Sequence, residues 1–195
     1  MTLLVRLLAF ALALPPPYYL PGREPETQAE RAARIERIVA AAIAESTAVD
    51  KDEWPGTTED LAAALLAVTF YESRHWALEV HDGRARGDRG ESVCLAQIWT
   101  KDRSLAGTSS EATQRCLHRA AEILMLHSRR CGLRYMDQWQ VARLFGAYGT
   151  GRTCSATDWS KKRASLWVRI RRAASSGAPS AAAERGAHRK TANSL

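Results

Sequence analysis

Between Leu61 and Tyr71 the chain runs Leu-Ala-Ala-Ala-Leu-Leu-Ala-Val-Thr-Phe-Tyr without a single charge. Ala and Leu dominate, so the run favours a helix, and nothing on it keeps any side wet. At about 100° per residue, Leu61, Leu65, Val68 and Glu72 project in nearly the same direction. Glu72 therefore ends the stripe expected to face the core. A carboxyl group in apolar surroundings resists ionisation, and its pKa rises. A general acid working near neutral pH needs that property. The competing reading is a helix-terminal glutamate turned out to solvent.

The rest of the pattern is helical too. Thr27-x-x-Glu30 forms a capping box ahead of Ile35, Ile38, Val39, Ala42 and Ile43 at helical spacing. Thr57 is placed to cap the Glu72 helix. Residues 81–91, rich in Gly, Asp and Arg, read as a loop. Val93 to Trp99 is a short apolar run broken by Gln97. Thr108-x-x-Glu111 opens a helix stopped by Gly132, another is expected from Asp137 to Ala147, and Thr157-Asp158 starts a last one through Trp159, Leu166, Trp167 and Ile170. No useful β-alternation appears. The expectation is an all-α domain of about five helices over residues 25–173, preceded by a hydrophobic leader at 1–24 and followed by a disordered tail at 174–195. The leader's apolar stretch, Leu7 to Leu14, is too short to span a bilayer. It reads either as a signal segment or as a leader that stays on the chain.

A length of 195 residues with 46% hydrophobic content supports one domain with a real core. The net charge of +7 points to polyanionic surroundings without choosing among nucleic acid, anionic lipid and acidic wall polymer. Its late cluster, Lys161-Lys162-Arg163, Arg169, Arg171-Arg172, Arg185 and Arg189-Lys190, reads as a general solubility and steering field. Cys94, Cys116, Cys131 and Cys154 lack metal-type spacing. Cys116 and Cys131 lie near the two ends of one helix, roughly 22 Å apart at 1.5 Å per residue, too far to bridge. Two pairings remain: Cys94–Cys116 with Cys131–Cys154, which is favoured, or Cys94–Cys131 with Cys116–Cys154. Four reduced thiols are the third state. His75, His81, His118, His127 and His188 show no ligand spacing, so neither metal nor cofactor is expected.

Three elements occur in order: Glu72-Ser73, Leu95-Ala96-Gln97-Ile98, and Ala147-Tyr148-Gly149-Thr150-Gly151. Together they resemble the soluble lytic transglycosylase domain, a relative of the goose-type lysozymes, over roughly residues 58 to 155. That family shows Glu-Ser ending a buried helix, then Gly-Leu-Met-Gln, then Ala-Tyr-Asn-x-Gly. Here Cys94 stands for the Gly, Ala96 for the Met and Gly149 for the Asn, and the 81–91 loop lengthens the interval from Glu72 to Gln97.

The resemblance implies a lysozyme-like fold and cleavage of peptidoglycan between N-acetylmuramic acid and N-acetylglucosamine, giving a 1,6-anhydro end. Glu72 would act as acid and then base. Ser73 would contact the sugar, Gln97 would hydrogen-bond an N-acetyl or hydroxyl group, and Tyr148 would orient Glu72 or the substrate. Ser73 satisfying a backbone carbonyl and Tyr148 as a core aromatic are the bland counterparts, and Trp99 is assigned to core packing. A loop acid, Asp82, Asp88 or Glu91, would instead make the enzyme a lysozyme-type hydrolase. A non-enzymatic basic helical module, or a fold that binds glycan without cutting it, are the other readings. The expected protein is a monomer on glycan strands, with no nucleic acid and no membrane span, in the periplasm, outside the cell or on a virion.

Overall fold

The computed structural model describes residues 1–16, 26–50 and 52–176, and the chain is mostly helical there, as expected. Among the described residues the α-helices are α1 (Leu3–Leu12), α2 (Gln28–Ala48), α3 (Thr58–Glu72), the single turn α4 (Leu78–His81), α5 (Ser110–Arg130), α6 (Gln138–Thr150) and α7 (Asp158–Ser175). A two-stranded antiparallel ladder joins β1 (Ser92–Val93) to β2 (Ile98–Trp99), pairing Ser92 with Trp99 and Val93 with Ile98.

The helix starts obey side-chain chemistry. Thr27 and Glu30 cap each other reciprocally, as do Thr57 and Asp60, and Asp137 accepts from the Gln140 amide at 2.7 Å. Helix α5 begins one residue later than the Thr108 motif predicts. Ser109 is the cap, because its hydroxyl accepts from the Ala112 amide, while the Thr108 carbonyl takes the Arg37 guanidinium at 2.9 Å. Helix α6 runs three residues past Ala147 and ends at Gly151, whose φ of 68° closes the helix in the left-handed region. Tyr148 is therefore on the helix rather than beyond it.

Helix α3 occupies the centre. Every residue from Asp60 to Phe70 is buried, with α2, α5 and α7 around it. The expected single stripe gives way to burial on all sides, so Glu72 marks where the helix emerges. Helix α7 packs on α3 and α6; the Trp167 indole donates to the Asp60 carbonyl at 3.0 Å, and Arg171 pairs with the Asp60 carboxylate at 2.7 Å. Its buried face carries Arg163, Ala164, Leu166, Trp167 and Ile170. Arg163 thus leaves the basic field to which its neighbours Lys161 and Lys162 were assigned with it.

The disulfides are Cys94–Cys116 and Cys131–Cys154, with Cα separations of 6.2 and 5.5 Å. This is the favoured pairing, and it fits an oxidising compartment. Closing loops of this length stabilises the fold by about 3 kcal/mol per bond in the chain-entropy account.

Helix α1 lies on α2 and α7 with Leu7, Ala11 and Leu14 buried, and Arg6 donates to the Ser176 carbonyl. At the other end, α7 takes up Ala174 and Ser175, the first residues assigned to the tail. Residues 177–195 lie outside the described residues. No helix among the described residues is long and apolar enough to cross a membrane.

Candidate active site

Glu72 is the last residue of α3, and its side chain keeps 17% of its exposure. Just beyond it the chain reverses abruptly. Arg74, His75 and Trp76 all have positive φ, at 53°, 67° and 57°. Left-handed backbone costs about 1–2 kcal/mol per non-glycine residue, so this turn persists only because its surroundings fix it. The Ser73 hydroxyl donates to the Thr69 carbonyl at 2.6 Å and accepts from the Trp76 amide at 2.9 Å. The His75 amide donates to the Phe70 carbonyl, and the Trp76 indole donates to the Thr69 hydroxyl at 3.0 Å. Phe70 stacks on His75 and meets Trp76 edge-on. Ser73 is fully buried. Its expected sugar contact gives way to a backbone role: it holds the turn that ends α3 at Glu72.

Across from Glu72 lies Arg163, wholly buried, with Nη1 donating to Oε1 at 2.6 Å. Trp159, one turn earlier on α7, covers the guanidinium, and Tyr71 lies 6.0 Å from it. Gly149 explains itself here. A Cβ at that position would meet the Trp159 ring at 3.0 Å, so the glycine makes room for the indole.

The third group is the turn between β1 and β2. Cys94 and Gln97 take positive φ, at 59° and 48°, and the Gln97 side-chain amide donates to the Cys94 carbonyl at 3.0 Å. The second amide proton of Gln97 stays free for an outside acceptor. Cys94 is bonded to α5 through Cys116, and Tyr148 on α6 donates its hydroxyl to the Ala96 carbonyl at 2.9 Å. Tyr148 thus gives its hydroxyl proton to the turn that carries Gln97. Gly87 lies against the Gln97 carboxamide so closely that a Cβ there would collide with Oε1. Next to it, Asp88 accepts a hydrogen bond from the Ser92 hydroxyl. Trp99, assigned to the core, is 76% exposed, because β2 turns that side chain outward.

The electrostatics join these groups. Burial pushes the Glu72 carboxyl above its ordinary value; Arg163 pulls it down and the charge of Asp88 pushes it up, with a net rise. Burial likewise raises the Tyr148 phenol, and the charge of Glu72 adds to that. Arg163 is drawn down by burial to about 10, and Glu72 opposes the fall. It remains a cation at neutral pH. Of the three loop acids, Asp88 is the one whose charge reaches Glu72; Asp82 is engaged by Arg84.

Tyr148 thus links the turn that carries Gln97 to the surroundings of Glu72, whose charge reaches the phenol, while Ser73 is buried in the turn that follows Glu72. Arg163, Trp159 and Asp88 complete those surroundings. The signal for Arg163 was its register: it precedes Leu166, Trp167 and Ile170 by three, four and seven residues, on the apolar face of α7. No group of His, Cys, Asp or Glu able to hold a metal ion occurs among the described residues. Set against known protein families, curated proteins and solved structures, the chain finds no match.

Proposed function

We propose that this chain is a peptidoglycan lytic transglycosylase, with Glu72 as its single acid and base. The observation that carries the reading is the convergence of three separated motif elements on one half-buried carboxyl. The Gln97 turn is tied to Tyr148, the charge of Glu72 reaches Tyr148, and Asp88 next to Gly87 reaches back to Glu72.

Glu72 gives its proton to the glycosidic oxygen, and the bond to the muramic acid anomeric carbon breaks. The carboxylate left behind already has a guanidinium at 2.6 Å to stabilise it. It then takes the proton of the muramic acid 6-hydroxyl as that oxygen closes onto the anomeric carbon. The attacking hydroxyl belongs to the same sugar, so it acts at high effective molarity and no second carboxylate is needed. Gln97 offers its free amide proton to an N-acetyl or hydroxyl oxygen. Two disulfides suit work in the periplasm, outside the cell or on a virion.

Asp88 favours one competing reaction, in which it positions a water and the product is an ordinary reducing end. Digestion of purified sacculi tests both readings. Wild type should clear them, and Glu72→Gln should leave them intact with its fold unchanged; full activity in that variant refutes the proposal. Product mass separates an anhydro end, lighter by one water, from a hydrated one.

A further inference from the structure

The Arg163 side chain uses only part of its hydrogen-bonding capacity. Nη1 serves Glu72, while Nε and Nη2 are buried and have no hydrogen-bond partner among the described residues. These two donors form one edge of the guanidinium fork, the edge whose geometry matches both oxygens of a carboxylate. Buried donors without partners are uncommon and costly. The pairing with Glu72 occupies Nη1 alone and leaves that cost in place at Nε and Nη2. Trp159 lies on the face of the guanidinium and is itself 46% exposed, so the side chain stacked on Arg163 borders solvent. Gly149 leaves open the ground beside the ring.

We propose that the open edge of Arg163 is a carboxylate seat, and that its ligand is the lactyl carboxylate of N-acetylmuramic acid. The choice of ligand rests on the glycan substrate proposed above. The lactyl group is carried by the same sugar whose anomeric carbon faces Glu72, and Glu72 and the seat share one guanidinium. A carboxylate bound bidentately at Nε and Nη2 also competes for the guanidinium that stabilises the Glu72 carboxylate, so filling the seat favours the protonated acid. In strands that carry stem peptides this carboxylate is an amide. The seat therefore selects peptide-free strands.

Calorimetric titration of the whole protein with N-acetylmuramic acid and with its methyl ester tests the seat. The acid should bind about tenfold more tightly than the ester, the ratio expected for one charge-assisted bidentate contact. Arg163→Lys keeps a cation for Glu72 but loses the fork, and should reduce the preference to less than about twofold. Equal binding of acid and ester, no binding of either, or an undiminished preference in Arg163→Lys overturns the inference. So does binding of D-alanyl-D-alanine in place of the muramic acid, which would assign the seat to a peptide terminus. The comparison of acid with ester in the unaltered protein stands by itself if the lysine variant fails to fold. Sacculus clearance is read separately: clearance without acid preference removes the seat and leaves the enzyme, while acid preference without clearance does the reverse.

Discussion

Replacing Arg163 by Met isolates what the guanidinium does for Glu72. The two side chains are similar in length, so the buried site stays filled, and the charge is what disappears. Removing one partner of a buried ion pair costs about 3–5 kcal/mol, because the other charge is left uncompensated. Glu72 keeps 17% of its exposure, which places the expected loss near the lower limit, about 3 kcal/mol at pH 7.5. The loss must depend on pH. Glu72 has a raised folded-state pKa, so its contribution to stability is fully present below the ordinary glutamate range and is lost as pH rises through the folded value. Without Arg163 that folded value rises further, and the losing interval extends upward. Over the added interval the variant falls behind wild type by up to about 1.4 kcal/mol per pH unit. Near pH 4, where a neutral carboxyl needs no counter-ion, the penalty should be smaller. Urea titrations monitored by circular dichroism at pH 4 and 7.5 measure both penalties. In the sacculus assay, the limb at which activity falls with rising pH should move to higher pH. Equal penalties at the two pH values would show that Glu72 is not the charge Arg163 neutralises.

Other perturbations separate site from scaffold. His81 is buried, shares a hydrogen bond with Thr113, and is drawn down by burial to about 3; the unfolded chain takes up its proton below about 6.5, so stability should fall as pH drops from there towards 3, by up to about 1.4 kcal/mol per unit. His81→Gln should flatten this acid limb in urea titrations, and an unchanged slope would refute the assignment. Replacing Cys94 and Cys116 together by Ser should cost about 3 kcal/mol and release the Gln97 turn, lowering sacculus clearance; the matched change at Cys131 and Cys154 should cost a similar amount with a smaller loss of activity. Gly87→Ala sets a methyl against the Gln97 carboxamide and should cut clearance about tenfold or more while shifting thermal stability little.

Local chemistry made the helices legible. The reciprocal caps at Thr27 and Thr57 and the stop at Gly132 are decided within a few residues, and the chain states them directly. Where two caps competed, as at Thr108 and Ser109, the contact with Arg37 on α2 decided, and no local pattern contains that. The acid at the end of α3 was equally legible. Its partner was harder to see, because Arg163 stands next to Lys161 and Lys162 and takes on their character when charge is read along the chain. Read around the helix instead, it belongs with Leu166, Trp167 and Ile170. Trp99 failed in the opposite sense: an apolar neighbourhood in sequence said nothing about which face of a two-residue strand would be covered.

The distribution of backbone strain gives a separate reason to place function here. Among the described residues, seven non-glycine positions have positive φ, and all fall between residues 74 and 97. At about 1–2 kcal/mol each, they cost on the order of 10 kcal/mol, comparable with the whole net stability of a typical domain. A chain selected for stability alone would place Gly or Asn at such positions. Each strained segment has its own external support: the Ser73 and Trp76 bonds for residues 74–76, the Ser92 hydroxyl on Asp88, and the Cys116 disulfide with the Tyr148 hydroxyl for residues 94–97. Supports drawn from α3, β1, α5 and α6 thus hold three short strained segments, the first of them directly after Glu72. Such a concentration of strain is the pattern expected if the proposed site is preorganised, and replacing these residues by Gly should then raise stability while lowering clearance.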